Sequence, residues 1–203
     1  MSPHSNSVLE VAVFTVRSPV DFLEVQRRTH EALSTLPGHR DSARLRGCKE
    51  GLFADLVAWE SIEAAERASA LVREDPRFAP LMASIEGLRL YAHYALAVDP
   101  ADVLRELRRA QRVEVAAYGV HAVAAHAEAH PRLYEALRSQ RGFRGGAPAR
   151  QIEDGEQFAD VIGWESEEAH ERAGATLQTM PELAGFFSGI GETAVFELFT
   201  VVP

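Results

Sequence analysis

The feature that most constrains this chain is a segment it contains twice. Phe53-Ala-Asp-Leu-Val-Ala-Trp59-Glu-Ser-Ile-Glu-Ala-Ala-Glu-Arg-Ala68 returns as Phe158-Ala-Asp-Val-Ile-Gly-Trp164-Glu-Ser-Glu-Glu-Ala-His-Glu-Arg-Ala173, identical at eleven of sixteen positions. Upstream, Glu10-Val11-Ala12 answers Glu114-Val115-Ala116, and His30-Glu-Ala-Leu33 answers Tyr134-Glu-Ala-Leu137. Downstream, Leu88 to Val98 answers Thr193 to Pro203. A duplication that spans nearly the whole chain implies two copies of one unit, each covering apolar surface on the other.

Each copy follows the same periodicity. Val8 to Val16 is β-branched and apolar, which predicts a strand. Ser18-Pro19-Val-Asp21 then supplies an N-cap, an N1 proline and a first-turn acid for a helix ending at Pro37-Gly38. Ala43 to Lys49 and Leu52 to Trp59 flank Glu50-Gly51, and the second copy has Asp154-Gly155 there, a hairpin signal. Ser61 and Ser166 cap a helix rich in Ala, Glu and Arg, and a short helix after Pro76 or Pro181 leads to the last strand.

The order β-α-β-β-α-β defines the expected class: α+β, two ferredoxin-like repeats forming a fused dimeric α+β barrel. Such a unit carries helices on one sheet face only, so the other face needs a partner, which the second copy supplies within the chain. The expected organisation is a first repeat over 1–98, a linker over 99–112 in which Asp99-Pro100-Ala-Asp102 starts a charged helix, Val103 to Arg112, and a second repeat over 113–203.

Charge and composition remove several function classes. A net charge of -9 with scattered basic residues opposes nucleic acid and anionic membranes as partners. The single cysteine, Cys48, cannot form an internal disulfide, and the sole lysine, Lys49, lies beside a turn, which argues against Schiff-base chemistry. The amino-terminal Met-Ser-Pro-His-Ser-Asn-Ser lacks the regions of a secretory signal and no stretch is long enough to cross a bilayer, so a cytoplasmic location is expected. No nucleophile elbow, phosphate-cradling glycine loop or dinucleotide fingerprint occurs in the sequence.

The signature Phe-Ala-Asp-x-x-x-Trp-Glu-Ser-x-Glu-Ala, preceded by a Pro-Gly-x-Arg-like helix end, resembles the antibiotic biosynthesis monooxygenase family of dimeric α+β barrel proteins. The resemblance implies a cleft between helices and sheet, lined by the strand tryptophan, here Trp59 or Trp164. It implies oxygenase chemistry on aromatic polyketides without a resident cofactor. Where that family places a hydrogen-bonding asparagine on the tryptophan strand, this chain has an acid, Asp55 or Asp160. Haem-degrading relatives need a histidine on the following helix and an asparagine on the first strand. The first strands carry no asparagine, and His170 is the only histidine on either such helix.

Strand alternation puts Phe53, Asp55, Val57 and Trp59 on one face, with Phe158, Asp160, Ile162 and Trp164 as their equivalents. A half-buried acid on an apolar face is costly unless it pairs with an arginine or acts as a base. His126, His130 and Tyr134 share one face of the second copy's first helix, where copy one has Phe22, Gln26 and His30. The histidine pair lacks a carboxylate on its own face to complete a metal set, and Pro131 is expected to disturb that helix. Asp160, His126, His130 and Trp164 are therefore the catalytic candidates. Tyr118, Tyr134, His170, Trp59, Asp55 and His30 are the substrate-binding candidates, and no metal ligands are assigned. His121, Tyr91 and His93 are weaker candidates.

The expectation is an oxygenase that turns over a flat, hydrophobic phenolic or quinoid substrate with dioxygen, with a second homodimeric association left open. A polyketide cyclase-like enzyme and a non-catalytic binding protein of the same fold are the competing readings.

Overall fold

The computed structural model describes residues 6–203; the first five residues, and with them most of the segment read for a targeting signal, lie outside the described residues. The first repeat runs β1 (Val8–Val16), α1 (Pro19–Leu33), β2 (His39–Gly47), β3 (Leu52–Trp59), α2 (Ile62–Glu74), α3 (Ala79–Ser84) and β4 (Ile85–Leu96). After α4 (Pro100–Leu107) the second runs β5 (Arg112–Val120), α5 (Val123–Ser139), β6 (Phe143–Gln151), β7 (Gln157–Trp164), α6 (Glu167–Gln178), α7 (Ala184–Gly189) and β8 (Ile190–Val202). The chain is thus α+β, and its strands close into one antiparallel barrel in the order β1-β3-β2-β8-β5-β7-β6-β4.

Two cross-repeat ladders zip the sheets together. Arg44–Gly47 of β2 pairs with Phe199–Val202 of β8, and Tyr94–Leu96 of β4 pairs with Ala149–Gln151 of β6. Closure leaves no bare sheet edge. It also means that the repeats share hydrogen bonds as well as a core.

Period-2 alternation explains why β3 is buried at all eight positions. Leu52, Ala54, Leu56 and Ala58 point into the barrel, where they meet Leu9, Val11, Val13, Val113, Val115 and Phe199. Phe53, Val57 and Trp59 point outward beneath the helices, into separate clusters with Phe22, Leu33, Ala65 and Phe78. An eight-stranded barrel is just wide enough for side chains to fill. The ligand-sized spaces are therefore outside it, between sheet and helices.

The helix ends correct several sequence expectations. Helix α1 stops at Leu33, before Pro37, and Ser18 at its N-cap donates to Asp21 Oδ2 at 2.6 Å in place of capping a backbone N–H. The glycine after each of these helices has a specific cause. Gly38 and Gly142 hold φ of 85° and 95°, and a Cβ on either would lie 2.5 Å from the Cβ of Ala64 or Ala169. Ser61 and Ser166 cap α2 and α6 as expected, accepting from Ala64 N and Ala169 N. Pro131 does not break α5, which runs unbroken from Val123 to Ser139.

Helix α4 starts at Pro100 with Asp99 as its cap, as expected, but ends at Leu107 and leaves Arg112 to open β5. Its Leu104 and Leu107 are fully buried and join the barrel-interior cluster. The segment between the repeats therefore contributes to the core as well as connecting them. No helix among the described residues is long and apolar enough to cross a membrane.

Candidate functional site

The outer face of the second sheet carries a polar cluster around Asp160. Its β7 position places it opposite Ala116 of β5 and one alternation step from Ile162 and two from Trp164. The carboxylate is almost wholly buried yet accepts three side-chain donors. Tyr118 Oη donates to Oδ2 at 2.7 Å, while His130 Nε2 at 2.7 Å and Tyr134 Oη at 2.9 Å reach Oδ1. Burial alone would raise the Asp160 pKa, but the His130 imidazole and these hydrogen bonds outweigh it and hold the carboxyl below its usual value. Burial beside the same carboxylate pushes both tyrosine hydroxyls far up, so they stay protonated donors.

The i, i+4 spacing of α5 brings His126, His130 and Tyr134 onto one face as expected, but their surroundings differ. His130 and Tyr134 grip Asp160 from behind. His126 sits 3.5 Å from Tyr118 Oη and packs on Phe158 and Phe186, at centroid distances of 4.6 and 5.0 Å. Burial, then the neighbouring His130, lowers the His126 pKa to about 4, so its ring is neutral near pH 7. Its Nδ1 is buried without a partner.

Asp160 and Tyr118 line a cavity of about 660 Å³ between β5, β7, β8 and helices α5, α6 and α7. Its walls are mostly apolar: Leu133, Leu137, Ile162, Trp164, Leu177, Phe186, Phe187 and Ile190. His170 and Glu114 line it as well, with His170 Nε2 2.8 Å from Glu114 Oε2. That contact raises the His170 pKa above its ordinary value against the opposing effect of burial. His126, His130 and Tyr134 are not among its lining residues, so they act on the cavity through the residues that are, Tyr118, Asp160 and Phe186.

The first copy has the same frame with different contents. Asp55 is buried and accepts from Gln26 Nε2 at 2.8 Å and His30 Nε2 at 2.7 Å, with Ser42 Oγ 2.9 Å from His30 Nδ1. Phe14 and Phe22 stand where Tyr118 and His126 stand, and stack edge-on with each other, as Phe22 does with Phe53. The adjoining cavity, lined by Asp55 and Trp59, holds about 200 Å³. That is below the 300–1,000 Å³ typical of ligand pockets, whereas the second cavity falls within it. Three of the positions at which the two walls differ reduce the space in the first copy. Ser69 and Arg73 replace Gly174 and Gln178, and Tyr91 donates to Glu10 Oε2 at 3.1 Å, where Phe196 in the second copy cannot.

Neither aspartate has the arginine partner that the sequence suggested; their partners are histidine with tyrosine or glutamine. His121 is exposed at the start of α5, and His93 lies at the repeat seam, bonded to Glu153 and Glu10. Sequence reasoning missed Glu114. The signal was present, since an acid recurs as Glu10 and Glu114 on an otherwise apolar strand and shares the alternation face of Tyr118. Among the described residues, no group of three or more His, Cys, Asp or Glu side chains could hold a metal ion.

The comparisons with known proteins agree on the fold. No family model matches the sequence, and no curated protein matches it. Solved structures do. An anthrone oxidase-like protein superposes with a TM-score of 0.69 at 16% identity, covering 100% of this chain and 94% of that one. A Fusobacterium nucleatum protein provisionally described as a monooxygenase gives 0.70 at 9% identity, over 97% and 93%. Chlorite dismutase from Candidatus Nitrospira defluvii, as an R173A mutant, gives 0.67 at 12%, over 98% and 92%. The likeness shows the fused dimeric α+β barrel that the repeat implied.

A haem does not fit the residues present. The one histidine that lines the larger cavity already has Glu114 at its Nε2, and the described lining carries three carboxylates, Glu114, Asp160 and Glu171, with no Lys or Arg to receive propionates. A phosphate-bearing cofactor would meet the same carboxylates.

Proposed function

We propose that this chain is an oxygenase that uses the second repeat's cavity to oxidise a flat, hydrophobic phenolic molecule with dioxygen, the substrate serving as its own reductant. The observation that carries this reading is an ionised carboxylate, fixed by three donors and lining an apolar cavity of about 660 Å³. Such a carboxylate accepts a hydrogen bond from an aromatic hydroxyl and orients the ring against Trp164 and Phe186. Its lowered pKa makes Asp160 a poor equilibrium base. Its role is to share the hydroxyl proton as electron density moves from the ring toward oxygen. Tyr118, donating to the same carboxylate, fixes which lone pair faces the cavity. His130 and Tyr134 are positioning residues behind it.

The balance needs no other reductant. A ring methylene activated by the phenol loses two hydrogens and four electrons to dioxygen, giving a carbonyl and water (CH₂ + O₂ → C=O + H₂O). The apolar walls keep bulk water from the reactive anion. An aromatic polyketide intermediate is a molecule of this kind, as is an anthrone, and a protein described as anthrone oxidase-like shares the fold.

Oxygen uptake with a panel of anthrones, hydroquinones and naphthols tests the proposal. We expect uptake with at least one anthrone, and a loss of about 10²-fold or more in kcat/KM for Asp160→Asn. Asp55→Asn should stay within about twofold of the parent on the same principle. No uptake across the panel, with the same molecules binding tightly, would make the site a ligand carrier and end the oxygenase reading.

A further inference from the structure

The cavity has a second polar group that the proposed chemistry leaves unused. Glu114 and Tyr118 stand on the same face of β5, on either side of Ala116, which pairs with Asp160. Glu114 pairs with Ile162, two residues along β7 from Asp160, so the two backbone positions are offset by roughly 7 Å along the strand. His170 reaches Glu114 from the first turns of α6, and its ring lies edge-on to Trp164, 5.9 Å between centroids. Both residues border the cavity on one side and a surface groove on the other, where Glu167, Glu171 and Glu197 join them. Of these acids, Glu197 is neutralised by Lys49 and Arg89, and Glu167 lies 3.5 Å from Arg112. Among the described ion pairs Glu114 has only His170 beside it, and Glu171 has none.

A protonated imidazole carries two N–H donors, and Glu114 occupies Nε2, so Nδ1 is the donor left to offer. We propose that the His170–Glu114 pair is a second subsite, which holds a carbonyl or hydroxyl oxygen on the ligand edge remote from Asp160 and favours uncharged ligands over carboxylated ones. The preference follows from charge. Glu114 cancels the His170 cation, so an incoming carboxylate meets Asp160 and Glu171 without compensation. This inference rests on the cavity being the ligand site, and it narrows the substrate class to uncharged fused rings with oxygen functions on opposite edges, roughly 7 Å apart by the strand spacing.

The test is equilibrium binding to the whole chain, read by tryptophan fluorescence at about pH 6, where an aromatic hydroxyl stays un-ionised. Three probes separate the contributions: 7-hydroxycoumarin, with oxygens on both edges; 2-naphthol, with a hydroxyl only; and 7-hydroxycoumarin-3-carboxylate. His170→Phe should weaken 7-hydroxycoumarin about tenfold or more, the loss of a charged hydrogen bond, and change 2-naphthol less than about twofold. Glu114→Gln should strengthen the carboxylate probe about tenfold by removing one of the three carboxylates that line the cavity, whether or not His170 keeps its proton without that partner. Equal weakening of both neutral probes by His170→Phe, or no gain with Glu114→Gln, overturns the subsite while leaving the cavity as a binding site. If the unmodified chain binds none of the three probes, the cavity reading fails and the subsite with it. Oxygen uptake plays no part in this readout, so a failed oxygenase reading would register separately.

Discussion

Replacing Asp160 by Asn examines the polar cluster at its centre. The substitution keeps the shape but removes the charge that Tyr118, His130 and Tyr134 all address. Hydrogen bonds to a charged group contribute about 1.5–3 kcal/mol each and neutral ones about 0.5–1.5, so three downgraded bonds cost roughly 3 kcal/mol. Removing a buried charge returns part of this, leaving a net loss of about 2 kcal/mol. For a chain of this size that is a fall in Tm of roughly 4–8 °C. The carboxyl is held below its ordinary value in the folded state, so its stabilisation is present above the unfolded value of about 3.9 and disappears as pH falls through the folded value. Thermal melts at pH 7 and at about pH 3.5 should therefore show the gap between parent and variant narrowing in acid. A double-mutant cycle with Tyr134→Phe should return a coupling of about 1 kcal/mol or more. An unchanged Tm at pH 7, together with a coupling near zero, would refute the claim that these donors are anchored by charge.

Three further predictions follow from other parts of the barrel. Gly174 lines the larger cavity and a Cβ there would meet nothing within 4 Å, so Gly174→Met should abolish 2-naphthol binding without lowering Tm, because Met suits a helix interior better than Gly by roughly 0.7 kcal/mol. Unchanged binding would place the ligand elsewhere. At the repeat seam, burial would lower the His93 pKa, but Glu10 and Glu153 outweigh it and raise it. The seam's stabilisation is then full below the unfolded value of about 6.5 and lost as pH rises through the folded value. Parent Tm should fall as pH rises above about 6.5, while His93→Gln stays flatter; parallel curves would remove His93 from the seam. In α4, Leu104 is fully buried in the barrel core, so Leu104→Ala should cost about 2–5 kcal/mol by urea unfolding, and a loss under about 1 kcal/mol would mean that the helix contributes little to the core.

The repeat and the strand faces were legible in the sequence because they depend on local period. Trp59 and Trp164 fall on the same face as Asp55 and Asp160 whatever the rest of the chain does. The barrel followed from the duplication, but the segments that close it did not, since Arg44–Gly47 with Phe199–Val202, and Tyr94–Leu96 with Ala149–Gln151, are short ladders with no local signature to join segments so distant in sequence. The carboxylate partners were only half legible. The spacing of His126, His130 and Tyr134 fixed their common face, but which of them reaches Asp160 depends on how α5 lies over the sheet.

The asymmetry of the two copies follows from what each is free to change. Inward residues such as Leu9, Leu56, Val113 and Val161 fill a single core, and altering them in either copy affects both. The outward apolar clusters each pack under the helices of their own repeat. There the first copy holds Phe14, Phe22, Ala65 and Tyr91, and the second holds Tyr118, His126, His170 and Phe196. Exchanging Phe for Tyr at the first position gives Asp160 a donor facing the cavity. Exchanging Ala for His at the third gives Glu114 a partner on α6, and losing the Tyr91 hydroxyl at the fourth removes the bond that ties Glu10 across the smaller cleft. A few substitutions on one outer face therefore suffice to open and polarise a cavity, because the shared barrel bears the cost of folding for both halves.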